Sequence, residues 1–208
     1  MAAHPCENDS ALRPTPNRRF RSLLVSNAGA YFAQGGLTIT VVAGVVVRGY
    51  QDGDAAGIVQ ISRDNGAYYA RLAPDYFKEP TVEGFVELVE NDDGWRESAE
   101  NLALVAEVEG EVAGYLEASL QPPLESAEWQ TQRDLSQPRL FISFVGTADA
   151  FKRMSVATRL VEAAEDWGRS QGAVVAICDT YIDSPLSIPF WEERMGYTRR
   201  AVIFRKQL

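Results

Sequence analysis

The residues with the clearest chemical spacing are Lys152-Arg153-Met154-Ser155-Val156-Ala157, set between an apolar run and an amphipathic one. The run before them, Arg139 to Thr147, alternates Phe141, Ser143 and Val145 with Leu140, Ile142 and Phe144, nearly all apolar, as in a strand covered on both faces. The run after them puts Val156, Leu160, Val161, Ala164 and Trp167 on one helical face and stops at Gly172, a residue suited to the left-handed position past a helix end. Strand, turn and helix N-terminus together make an anion site. First-turn N–H groups have no intrahelical partner, and the helix dipole adds partial positive charge. A pyrophosphate would suit it.

Composition narrows the chemistry further. The single histidine is His4, and the two cysteines, Cys6 and Cys178, lie far apart. Histidine triads, zinc sites and a disulfide framework are thereby excluded, and any general acid or base must be Asp, Glu, Tyr, a backbone group or water. This cysteine usage fits a reducing compartment, so a cytoplasmic location is expected. A formal charge of −9 argues against a nucleic-acid partner and mildly favours cationic ligands, although simple solubility explains it equally well.

A chain of 208 residues supports one domain with a sizeable core. Residues 1–41 mix Pro, Asn, Ser and Arg without a period and are expected to be a poorly ordered extension, leaving 42–208 as the domain. Arg18-Arg19 ahead of an apolar stretch resembles a twin-arginine signal, but Ser26, Asn27, Gln34, Gly35 and Gly36 interrupt that stretch. No membrane partner is expected.

Val42 to Tyr50 reads as a first strand, and Asp52-Gly53-Asp54 as the N-cap of a helix containing Ala55, Ile58, Val59 and Ile61. Tyr68 to Phe77 breaks at Pro74, and a second helix runs from Thr81 to about Asn91. Leu102–Val108, the turn Glu109-Gly110-Glu111 and Val112–Leu120 form a hairpin. Residues 121–137 are a polar insert, either a lid or a surface loop. Ala173 to Cys178 is a further buried strand, parallel to the one at Arg139–Thr147 because a helix connects them. Ser184–Met195, Gly196 and Thr198–Lys206 read as helix, glycine cap and final strand, whose exposed edge could pair with a second copy to make a homodimer.

Lys152, Ser155 and Ala157 fill the positions of the Gln/Arg-x-x-Gly-x-Gly/Ala signature, so the segment resembles motif A of the GNAT superfamily of acetyltransferases. Lys replaces Gln/Arg, and Ser155 replaces the first glycine. The phrase AEVEGEVAGYLEASL resembles the second and third strands of that fold, and Phe190 to Tyr197 resembles its closing Phe-Tyr-Glu-x-x-Gly-Phe motif with one extra residue. The resemblance implies an α/β (α+β) GNAT fold, a mixed central sheet splayed between its fourth and fifth strands and flanked by helices.

It further implies acetyl transfer from acetyl-CoA to a primary amine of a small molecule or peptide, or else a non-catalytic acyl-CoA-binding sensor or interaction module. By the same resemblance, backbone groups of Val145, Gly146 and Thr147 would hold the thioester and pantetheine. Lys152, Arg153, Met154, Ser155, Val156, Ala157 and Thr158 would hold the pyrophosphate. Glu117 is the first candidate for the base and Asp179 the second, or Glu117 simply faces solvent. The family's usual tyrosine acid is replaced by Trp191 or Glu192, depending on alignment, which leaves Tyr181 or solvent for that role. Tyr68, Tyr69, Tyr76 and Phe77 either line the acceptor pocket or belong to the core.

Overall fold

The computed structural model describes residues 40–42, 44–90 and 93–206. The extension expected over 1–41 lies outside them apart from Thr40 and Val41, as do His4 and Cys6. One six-stranded sheet runs in chain order: β1 (Thr40–Val42), β2 (Val45–Gly49), β3 (Asn101–Val108), β4 (Glu111–Gln121), β5 (Arg139–Thr147) and β6 (Val175–Cys178). Every neighbouring pair is antiparallel except β5–β6, which is parallel. The valine-rich stretch read as one strand is therefore two. Val42 pairs with Val45 and Thr40 with Val47, and Gly44 at φ 82° lies in the connection, where a side chain would be strained. Between β3 and β4 the two-residue turn Glu109-Gly110 has positive φ at both positions, 54° and 84°, as the right-handed strand twist favours.

Helix α1 (Ala55–Leu72) and helix α2 (Val82–Glu90) cover one face of the sheet, with a short α3 (Asp93–Arg96) after them; α4 (Val156–Ser170) covers the other. On the α1 side the core holds Ile58, Val59, Ile61, Val89, Val105 and Tyr115. On the α4 side Leu104, Leu116, Leu140, Val156, Leu160 and Val161 are nearly inaccessible. On α2 the apolar residues differ in cover: Val89 is buried, whereas Val82 in the first turn is 38% exposed. Helix α4 ends as anticipated: Gly172 has φ 88°, its N–H reaches Arg169 O, and Ala173 N–H reaches Gly168 O.

Three expectations need correction. Asp54 sits at the start of α1 but its side chain makes no cap; its two oxygens receive both terminal nitrogens of Arg48 at 2.7 Å, and one also receives Gln51 N–H. The closing helix is a short turn, α5 (Ser187–Pro189), continued by a π-type turn over Phe190–Arg194 in which Met195 N–H reaches back five residues to Phe190 O. That wider turn accommodates the extra residue of the closing motif. Finally, residues 198–206 form no strand, and their side chains are exposed. Side-chain contacts hold them instead, Arg199 to Glu192 and Arg205 over Tyr76, so the edge invoked for a homodimer is absent there.

Candidate active site

The site is organised by a fork in the sheet. Strands β5 and β6 pair only from Arg139–Val175 to Ile142–Cys178, after which β5 runs on to Thr147 without its neighbour. The register between β4 and β5 shifts there, Glu117 opposing Phe144 and Ala118 opposing Ile142, which leaves Ser143 as the extra residue. A bulge bends its strand and increases the local twist. Placed immediately after the last β5–β6 pair, it turns β5 away from β6. Val145, Gly146 and Thr147 lie along the open side of this fork, paired with Leu116, Tyr115 and Gly114 on the other.

Two glycines let helices approach the fork closely. A Cβ on Gly146 would stand 2.6 Å from Ile61 Cγ2 of α1, and one on Gly114 would stand 2.4 Å from Val156 Cγ1 of α4. Gly114 thus seats the first turn of α4 on the sheet, directly beyond the end of β5. The loop entering that helix is sharply bent, with Arg153 at φ 68° and Ser155 at φ 63°. That conformation is uncommon for residues with a Cβ, and it is the reason a glycine suits position 155. Ser155 makes no side-chain cap, so the first-turn N–H groups of Val156, Ala157 and Thr158 point out of the helix without an intrahelical acceptor.

Of the two cations at this turn, Lys152 has defined partners. Lys152, Arg153, Met154 and Ser155 are all exposed. Lys152 Nζ pairs with Asp149 at 2.5 Å and lies 5.9 Å from the centre of the Tyr68 ring. Val156 is buried and offers only its backbone, while the Thr158 hydroxyl accepts from Arg194 Nε at 3.4 Å. The arrangement suits an anionic phosphate group: backbone donors without an intrahelical acceptor and a dipole end lie at one exposed turn, beside the exposed side chains of Arg153 and of Lys152, the latter paired with Asp149.

Glu117 faces the α1 side rather than open solvent. It is half-buried, and Tyr115 donates its hydroxyl to Glu117 Oε1 at 2.8 Å. The Tyr115 pKa is pushed well above the usual tyrosine range, by burial first and by the Glu117 charge second. Tyr115 therefore stays protonated and holds the carboxylate as an acceptor. Asp179 is exposed just past β6, and Cys178 beside it is half-buried with its thiol pushed up to about 12, chiefly by burial and then by Asp179. Tyr181 belongs to a group of rings, stacked on Tyr76 at 6.1 Å and edge-on to Phe77 at 5.3 Å.

Neither residue aligned with the missing tyrosine reaches the fork as an acid. Trp191 is buried against Phe190 and Tyr197, and Glu192 forms a two-pronged pair with Arg199 at 2.6 and 2.8 Å. A set of hydroxyls joins α1 to the loop after β6, a connection that no sequence pattern shows. Tyr69 Oη lies 2.7 Å from Ser187 Oγ and 3.3 Å from Thr180 Oγ1, Ser187 Oγ lies 3.0 Å from Ser184 Oγ, and Tyr68 Oη lies 3.4 Å from Ser184. Adjacent tyrosines at the end of a helix were the available signal, but their hydroxyl partners stand more than a hundred residues away in sequence. Among the described residues no group of acidic, histidine and cysteine side chains is arranged to hold a metal, and no helix is long and apolar enough to cross a membrane.

Comparison with known proteins agrees with this geometry. The sequence profile described as the Acetyltransferase (GNAT) family matches residues 68–197. Among solved structures, a transcriptional regulator from Bacillus halodurans C-125 is 19% identical with a TM-score of 0.59, the match covering 79% of this chain and 99% of that one. An aminoglycoside acetyltransferase from an uncultured soil metagenomic sample, crystallised with sisomicin, is 14% identical with a TM-score of 0.52 over 79% of this chain and 97% of its own. An acetyltransferase from Trypanosoma brucei is 16% identical with a TM-score of 0.52, covering 79% and 99%. At these identities the likeness is one of fold. No curated protein matches the sequence.

Proposed function

Because the chain belongs to the GNAT family of acetyltransferases, we propose that it moves an acetyl group from acetyl-CoA to a primary amine of a small molecule or peptide. The observation that carries this reading is the fork between β5 and β6 ending at the uncapped first turn of α4. Acetyl-CoA supplies the thioester that the amine attacks. The N–H groups of Val156, Ala157 and Thr158, with Lys152, Arg153, Met154 and Ser155 around them, hold its pyrophosphate. The backbone of Val145, Gly146 and Thr147, free of β6, holds the pantetheine arm and orients the carbonyl.

Glu117 accepts the proton that the attacking nitrogen must lose, since an alkylammonium of pKa about 10.4 has no lone pair to give. Its position opposite Phe144, on the stretch of β5 that β6 no longer accompanies, supports this role over that of Asp179. The carbon–sulfur bond breaks as the carbon–nitrogen bond forms, and Tyr181 or solvent returns a proton to the departing thiolate. Direct transfer is favoured over an acyl-cysteine route, because a thiol with a pKa near 12 stays protonated at neutral pH.

The buried Trp191 and the Arg199-bound Glu192 favour a second reading, a non-catalytic acyl-CoA-binding module. A thiol-release assay with a panel of primary amines separates the two. Turnover is expected, with Glu117→Gln lowering kcat by about 10²- to 10⁴-fold while acetyl-CoA affinity is kept. Absence of thiol release from folded, CoA-binding protein would replace the enzyme with the binding module.

A further inference from the structure

Five aromatic rings form a continuous group where α1 ends and the loop after β6 begins. Tyr68 and Tyr69 are 5.0 Å apart between ring centres, Tyr69 and Phe77 5.0 Å, Tyr76 and Phe77 4.8 Å, and Tyr181 closes the group against Tyr76 and Phe77. The rings are not sealed into the core; Tyr76 is 53% exposed and the other four are half-buried. Two cations of the chain itself already lie over them. Arg205 of the C-terminal segment is 5.6 Å from the centre of the Tyr76 ring, and Lys152 is 5.9 Å from that of Tyr68. Exposed carboxylates flank the two ring-bearing loops in sequence, Asp75 before Tyr76, and Asp179 and Asp183 on either side of Tyr181.

We propose that this ring group is a cation subsite that holds a second, non-reacting positive group of the acceptor, which makes the acceptor a polybasic amine. The assignment of the bound molecule as an acceptor rests on the acetyl transfer proposed above. The reacting nitrogen must be neutral when it attacks, whereas a cation held over ring faces must stay charged. One basic group cannot meet both demands, so a molecule using both places carries at least two. Arg205 is the internal occupant of the subsite. It reaches Tyr76 from a segment that has no strand pairing and leaves Val202, Ile203 and Phe204 exposed, so an incoming cation displaces few contacts.

The test uses choline as the probe, because its quaternary nitrogen cannot be acetylated, and 3,3-dimethylbutan-1-ol as its neutral counterpart of the same shape. Ring signals of Tyr76 and Tyr181 in the full chain are followed by NMR, assigned with the Tyr76→Phe and Tyr181→Phe variants. Choline is expected to shift both rings saturably and to bind at least about 5-fold more tightly than the alcohol, with Tyr76→Leu weakening it by about 3- to 10-fold. Arg205→Gln is expected to tighten choline binding by removing the internal competitor. Equal binding of the two probes, or no movement of these rings, overturns the proposal. Choline binding upholds the cation subsite whether or not acetyl-CoA binds, and its absence overturns the subsite even in a chain that does bind acetyl-CoA.

Discussion

Replacing Gly114 with alanine is expected to destabilise the protein, and the sign of the effect is informative. In an unobstructed strand the exchange stabilises by roughly 0.5–1 kcal/mol, because alanine loses less backbone freedom on folding than glycine. Here the new Cβ would stand 2.4 Å from Val156 Cγ1, 3.0 Å from Leu160 Cδ1 and 3.1 Å from the Gly146 carbonyl oxygen. Carbon atoms in contact prefer about 3.5–4.0 Å, so the first turn of α4 must retreat by about 1 Å. Overpacking of a tight core typically costs about 1–3 kcal/mol, which exceeds the gain. Urea unfolding should therefore show a lower midpoint for Gly114→Ala at unchanged slope. Val156→Ala removes the colliding methyl groups, so the double variant should lose about 1–2 kcal/mol less than the sum of the two singles. Wild-type or greater stability in Gly114→Ala, or simple additivity in the cycle, would refute the claim that Gly114 seats α4 on the sheet.

Two further outcomes test other parts of the structure. Asp54→Asn would be nearly neutral if Asp54 acted as a helix cap, since asparagine caps equally well. With both oxygens bound to the guanidinium of Arg48, whose pKa the Asp54 hydrogen bonds raise further, the expected loss is about 2–3 kcal/mol by thermal or urea unfolding. At high pH, Tyr115 should link stability to proton binding. Its folded pKa lies above its unfolded value of about 10, so the unfolded chain loses this proton first. Its contribution is complete below pH 10 and is lost above it by up to about 1.4 kcal/mol per pH unit, a slope that Tyr115→Phe should remove.

Much of the fold is legible in the sequence wherever two signals coincide. The β3–β4 hairpin combines strand alternation with Glu-Gly at the reversal, and both turn residues take positive φ. The unit from β5 through α4 to β6 combines a buried strand, a one-sided helix and Gly172, and each boundary falls within a residue or two of its expected place. Valine propensity by itself says strand without saying where the chain reverses, so the hairpin at Gly44 was hidden in an unbroken apolar run. Residues 198–206 show the same limit. Val202 and Ile203 favour extended backbone, but a strand also needs a partner, and Arg199 and Arg205 of this segment go to Glu192 and Tyr76 instead.

The candidate site divides along similar lines. The tight turn and helix start at 152–158, proposed above to hold a pyrophosphate, were readable as local structure because they depend on local order: a strand end, a tight loop and a helix start. Glu117 was readable as a carboxylate on a central strand, but its orientation was not, since a bulge and the partner Tyr115 decide it. The Tyr69–Ser187 and Tyr68–Ser184 contacts carry no periodic signal, because single hydroxyls meet across the fold.

The most direct test of the central claim is calorimetric titration of acetyl-CoA into the wild-type chain and into Ser155→Asn and Ser155→Asp. Both substitutions tolerate the left-handed backbone that Ser155 adopts at φ 63°, and their side chains are nearly equal in size. They differ by one negative charge at the turn assigned to the pyrophosphate. Placement of the pyrophosphate on this turn predicts one acetyl-CoA bound per chain, affinity largely kept in Ser155→Asn, and a loss of at least about 10-fold in Ser155→Asp, reduced by added salt. No binding by the folded wild-type chain, or equal affinity in the two variants, would contradict it.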